Sequence, residues 1–166
     1  MPLTLSEVNR MTADEFVRAL GRVFEHSPWI AERAFAARPF ASVGALHAAM
    51  AEAVRRAQLM LPRAHPELAG KQAQAGTLTR DSTAEQAAAG LGALTPDELR
   101  RVAELNRRYR EKFGFPFIIA VRRHSKDRIF RELERRLGLA PEAELANGLE
   151  QVFVITRLRL EGSIAE

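Results

Sequence analysis

The chain contains no cysteine, which excludes disulfides, thiolate metal sites and cysteine nucleophiles. One tryptophan and one tyrosine offer little of the aromatic surface on which nucleic-acid bases stack. No apolar run approaches the roughly eighteen residues of a membrane span. The His-Glu-x-x-His spacing of a zinc site is absent. Neither sign of charge prevails, because 25 Lys and Arg against 21 Asp and Glu leave a net +4. Basic and acidic residues are interleaved, as in RELERR at 131–136. Such a charge permits attraction to a small anion and does not by itself argue for a polyanion. The opening MPLTLSEVNRM lacks the charged-then-apolar order of a secretory leader, and the closing GSIAE is not a peroxisomal ending. The expectation is a cytoplasmic protein with neither a membrane nor a nucleic acid as its partner.

What is present is an ordinary globular composition, 46% hydrophobic and 28% charged, over 166 residues. That length suits one domain, residues 1–166, with a proper core. Helix start signals recur along it. Thr12-Ala13-Asp14-Glu15 and Thr95-Pro96-Asp97-Glu98 read as capping boxes, the second with proline at the first helical position. Ser27-Pro28, Ser42, Asp81 or Ser82, Ser125 and Pro141 open further helices. Pro39 and Pro62 close two of them, and Gly138 marks another stop. Apolar residues follow each start at helical spacing, as in Leu46, Met50, Val54 and Leu59. These signals predict an all-α, single-domain bundle of about seven or eight helices. One short extended segment interrupts it near 114–121, in KFGFPFIIAV.

Four stretches hold residues suited to chemistry. In RAHPELAGKQAQAG, 63–76, His65 precedes Pro66, and proline disfavours the α region for the residue before it. His65 therefore belongs at a helix end or in a loop, either facing a ligand or occupying a plain turn. His26 and His47 fit structural roles beside helices, and His124 a solvated loop. In STAEQ, 82–86, Glu85 either closes a capping box with Ser82 or is free for other work. Gln86 has no local role, and the amides at that helix start favour an anion. In FGFPFIIAV, Phe117, Ile118 and Ile119 are either core filler or an extended backbone with groups able to read a flat heterocycle. In RLRL, 157–160, Arg157 and Arg159 face different directions.

Taken in order, HPELAG (65–70), S-x-x-EQ-x-x-AGL (82–91), LN-x-x-Y-x-x-KFGFPFIIAV (105–121) and the closing LRL (158–160) resemble one family. It is the 2-oxo-4-hydroxy-4-carboxy-5-ureidoimidazoline (OHCU) decarboxylases, the last step from urate to (S)-allantoin. The resemblance implies an all-helical, cofactor-free, dimeric carboxy-lyase acting on a small-molecule substrate. It implies catalytic roles for His65, Glu85 and Arg159, with Arg157 as the alternative arginine after a two-residue slip. It also implies substrate contacts from Pro66, Ser82, Gln86 and the backbone around Phe117, Ile118 and Ile119. The rival readings are a nucleic-acid-binding helical module and a scaffold that kept the fold without the chemistry. A scaffold would be expected to have lost one of His65, Glu85 or Arg159, and all three are present.

Overall fold

The computed structural model describes residues 2–57 and 65–165. Among these it holds nine α-helices, two 3-10 turns and one pair of two-residue strands. The predicted Leu59 and Pro62, and residues 63–64 of the His65 stretch, lie outside the described residues. The chain divides into two compact units, one of Met1–Ala64 with Phe153–Glu166, the other of His65–Val152.

The first unit opens with β1 (Leu3–Thr4), α1 (Leu5–Arg10) and α2 (Ala13–Leu20). Capping boxes start both helices. Thr4 and Glu7 serve α1 and Thr12 and Glu15 serve α2, each threonine hydroxyl accepting from the N3 amide while the glutamate accepts from the cap amide. The predicted start at Ser27-Pro28 is displaced. Helix α3 (Trp29–Ala34) has Pro28 at its cap, and the Ser27 hydroxyl donates to Glu25 O at 3.0 Å instead of capping. Phe35 continues as a 3-10 turn to Ala37, ahead of the cis Arg38–Pro39 bond. Ser42 then caps α4 (Val43–Ala57), accepting from the Ala45 amide at 3.0 Å. Helix α3 packs on α2 and α4. The Phe16 ring meets Phe35 edge-on and stacks against Phe40. No sequence signal announced the parallel pairing of β1 with β2 (Ile164–Ala165), in which Leu3 faces Ile164. Pairs this short carry no alternating pattern.

In the second unit, α5 (Lys71–Gln74) and α6 (Arg80–Ala88) follow the His65 turn. Then come α7 (Pro96–Phe113), a 3-10 turn at Val121–Arg123, α8 (Lys126–Arg136) and the first part of α9 (Pro141–Ser163). Thr95 and Ser125 cap α7 and α8 as the sequence predicts, and Gly114 ends α7 in the left-handed conformation at φ 77°. The core gathers Leu68, Leu91, Val102, Leu105, Tyr109, Phe115, Phe117, Ile119, Ile129, Phe130 and Leu133. Helix α9 departs from its apolar pattern. Of the apolar residues at helical spacing after Pro141, Val152 and Ile155 are buried as expected, Leu145, Leu149 and Leu158 are only half-buried, and Glu144, Gly148, Thr156 and Arg159 are buried beside them.

Candidate active site

The residue before a proline is pushed out of the helical region, and His65 follows that rule by lying in a bend ahead of buried Pro66. Three side-chain amides hold the turn after it. Gln86 accepts from the Ala69 N–H at 2.9 Å and donates to Glu67 O at 3.5 Å. Asn106 on α7 donates to Leu68 O at 3.0 Å, and Gln74 on α5 donates to Ala69 O at 3.0 Å. One turn along α7 from Asn106, Arg110 pairs with Glu67 at 2.9 Å. Ala69 adopts φ 48°, a left-handed conformation that alanine takes up only under constraint. Gly70 answers a different need, since a Cβ there would lie 2.6 Å from Glu67 Cβ.

Helix α6 carries Ser82, Glu85 and Gln86, and its start differs from the expectation. Thr79, rather than Asp81 or Ser82, is the cap, and its hydroxyl accepts from the Ser82 amide. Ser82 therefore lies within the first turn, so Glu85 is a mid-helix residue and not the acid of a capping box. The Ser82 and Thr83 amides expected to attract an anion are bonded to Thr79 Oγ1 and Thr79 O. Ser82 and Gln86, one helical turn apart, are buried, and Glu85 between them is half-buried.

The FGFPFIIAV segment is irregular from Gly114 to Ala120, as its glycine and proline dictate. The Phe117, Ile118 and Ile119 side chains are all buried, so as side chains they are core. Two backbone groups expected to be open are taken: Ile118 O accepts from Arg136 Nη1 at 2.8 Å and the Ala120 N–H donates to Gln151 at 2.9 Å. Arg136 also pairs with Glu144, which is fully buried and accepts further from Tyr109 and Asn147. This buried charge network fixes the segment between α7, α8 and α9. Helix α6 lies against the 3-10 turn Val121–Arg123 at the end of this segment.

Three of the four motif stretches thus belong to the second unit. Arg159 belongs to the first, where it is 6% exposed and donates to Val23 O at 3.2 Å and Glu25 Oε2 at 2.9 Å. Arg157 is half-exposed and pairs with Glu161 in the next turn. Burial separates the two arginines as the sequence leaves open, Arg159 facing inward.

A family model described as OHCU decarboxylase matches residues 9–161. The chain belongs to the OHCU decarboxylase family. A curated 2-oxo-4-hydroxy-4-carboxy-5-ureidoimidazoline decarboxylase of Haloferax volcanii is 45% identical over 95% of this chain and 94% of its own length. One from Mus musculus is 41% identical over 95% and 91%. The crystal structure of an (S)-allantoin synthase superposes with a TM-score of 0.74 at 30% identity, covering 98% of this chain and 54% of that one. The OHCU decarboxylase match spans every residue singled out above, from His65 to Arg159.

Around that OHCU decarboxylase pattern the structure adds residues that sequence reasoning missed. Glu25, 4% exposed, is the acid partner of Arg159, and no local signal in VFEHSP marks it. Asn106 lies inside the quoted LN-x-x-Y motif but receives no role from the sequence. His124 is half-buried, not solvated; burial and then the nearby Arg128 push its pKa down. His47 stacks on Phe24 and bonds Thr156 at 3.0 Å, and burial followed by Arg157 lowers its pKa. A cleft of about 300 Å³ in the second unit, lined by Ala69, Leu78, Leu91 and Leu99, does not include His65 or Glu85. The two amides on its wall, Gln74 and Gln86, are engaged by Ala69.

Proposed function

We propose that this chain is a cofactor-independent carboxy-lyase, a carbon–carbon lyase that converts the ureidoimidazoline OHCU to (S)-allantoin, acting in the cytoplasm as a homodimer. The observation that carries this reading is the family match over residues 9–161 together with the presence of the motif residues His65, Glu85, Gln86 and Arg159. In the reaction the ring-to-carboxylate bond breaks and its electron pair stays on the ring as an enolate-like species. The carboxylate leaves as neutral CO₂. A proton is then delivered to one face of the ureido-bearing carbon while the neighbouring hydroxyl becomes a carbonyl.

His65 is the proton-transfer group, because imidazole changes charge near neutral pH and general acid–base catalysis by such a group contributes roughly 10²- to 10⁴-fold. Glu85 holds the ureido and ring N–H groups. Arg159 offers a planar fork for a carboxylate or carbonyl oxygen, and Glu25 keeps that guanidinium in place. Pro66 and Ile119 form apolar walls against which a carboxylate is poorly solvated and gains by leaving as CO₂, and the backbone around Phe117, Ile118 and Ile119 contacts the substrate. Gln86 and Ser82 complete the substrate contacts, with Gln86 also holding the turn beside His65. The exposed arginines of α7 and α8 do not favour a nucleic-acid surface. Arg107 lies between Glu104 and Glu111, Arg101 pairs with Glu134, and Arg135 pairs with Glu132.

The test is stereochemical, because the substrate also decays unaided to racemic allantoin. OHCU is generated in situ from urate with urate oxidase and the hydrolase that follows it, and circular dichroism is recorded as allantoin forms. The expected result is rapid growth of an optically active signal, reduced at least about 100-fold in rate by His65→Asn. A slow, optically silent decay equal to the no-enzyme control would overturn the assignment.

A further inference from the structure

Asn106 is a polar residue of the LN-x-x-Y motif to which the proposed chemistry gives no work, and unlike Tyr109, which bonds Glu144, it has a buried polar atom without a partner among the described residues. It is 3% exposed, its Nδ2 donates to Leu68 O, and its Oδ1 is buried with no hydrogen-bond partner among the described residues. A buried acceptor left unbonded disfavours the fold, and a leucine of similar size at this position would remove that acceptor only by taking the Asn106 donor away from the buried Leu68 carbonyl. What the amide supplies in return is a single grip on the turn that follows His65-Pro66. The same turn takes bonds from Gln86 and Gln74, so three amides from three helices hold the backbone at Leu68 and Ala69 and, through Gln86 Nε2, at Glu67. The turn needs such a hold, because Ala69 at φ 48° relaxes out of the left-handed region once its surroundings loosen. Pro66, with its ring-locked φ and buried side chain, transmits the position of that turn to His65.

We infer that Asn106 is a positioning residue for His65: its bond to the Leu68 carbonyl sets where the imidazole sits when the proton is delivered. The inference rests on the proposed role of His65. It accounts for a buried amide with one satisfied end, which a purely packing role does not.

The experiment compares the wild-type protein with Asn106→Leu and Gln74→Ala, the latter removing an exposed member of the same clamp. The His65 imidazole resonances are assigned by NMR using His65→Asn. In parallel, kcat, KM and the enantiomeric excess of allantoin are measured, with enzyme adjusted so that catalysed turnover outruns spontaneous decay equally in each case. Misplacing a reacting group by about 1 Å costs on the order of 100-fold. Asn106→Leu is therefore expected to shift or broaden the His65 resonances and lower kcat roughly 10- to 100-fold. KM should stay within about twofold, the enantiomeric excess should fall, and the melting temperature should move by no more than a few degrees, because an unbonded Leu68 carbonyl replaces the unbonded Asn106 Oδ1. Gln74→Ala is expected to move the same readouts less and in the same direction, and it carries the test if Asn106→Leu fails to fold. Unchanged His65 resonances in a folded variant overturn the inference whether or not the chain is a decarboxylase. Shifted resonances with kcat and enantiomeric excess intact overturn it as a catalytic matter. An optically silent wild-type protein overturns the proposed function itself and leaves Asn106 only a structural hold.

Discussion

A carboxylate taken out of water must recover its lost hydration from cations and hydrogen-bond donors, or the fold is better without it. Glu144 recovers it from Arg136, Tyr109 and Asn147, and Arg136 in turn stacks over Phe117 at 4.6 Å and holds Ile118 O. Burial, and then the bond to Glu144, push the Tyr109 phenol far up, so its hydroxyl remains a donor at every working pH. Glu144→Ala leaves Arg136 and Tyr109 facing a void, and breaking a buried pair from one side costs about 3–5 kcal/mol. Urea unfolding should show that loss, and the segment that Arg136 anchors should be the part whose amide exchange rises most. Little of this was legible beforehand. Glu144 stands in PEAELANG, an unremarkable helix start, and Tyr109 lies 35 positions away from it. Glu25 and Arg159 are separated by 134. His65, Glu85 and Arg159 could be proposed from the sequence because their neighbours form motifs, whereas a partner such as Glu25 shares no local pattern with Arg159.

At the scale of the elements, local chemistry read well at four helix starts and failed at Ser27, whose hydroxyl bonds Glu25 O instead. Thr12, Ser42, Thr95 and Ser125 each accept the bond expected of them. Where candidates crowd, as in Thr79-Arg80-Asp81-Ser82, several side chains are chemically equivalent caps, and tertiary packing chooses among them. Starting α6 at Thr79 places Ser82 and Gln86 one turn apart, both buried, with Gln86 reaching the His65 turn. The end of α7 offers a clean measurement of backbone cost. Gly114 has φ 77° and open space where a Cβ would go, so Gly114→Ala meets no clash and carries only the left-handed penalty. That penalty is about 1–2 kcal/mol. Denaturant titration should therefore show a lower midpoint with an unchanged slope.

For the whole molecule, pH dependence follows from groups whose pKa falls on folding. Burial lowers His47 and His124 below their ordinary 6.5, so the folded state prefers them neutral. Their contribution is complete above pH 6.5 and is lost as pH falls from there through their folded values. Hydrogen bonds from their threonine caps lower Glu7 and Glu15 below 4.5, and Glu98 is lowered first by Lys126 and then by Thr95. Their share is present above 4.5 and disappears as pH falls through the depressed values. Melting temperature measured across pH should hold level above neutrality, descend once from about 6.5 and again from about 4.5. The double variant His47→Asn, His124→Asn should lose the first descent and keep the second.

The order of the units along the chain also has a consequence in time. The second unit, His65–Val152, is one unbroken stretch, whereas the first joins an early segment to a late one. During synthesis Glu25 emerges long before Arg159, the guanidinium that makes its burial tolerable, and Leu3 long before Ile164. An acid without its cation stays in water. The early helices must therefore keep Glu25 hydrated while the middle of the chain folds, and the unit that begins first is the one completed last.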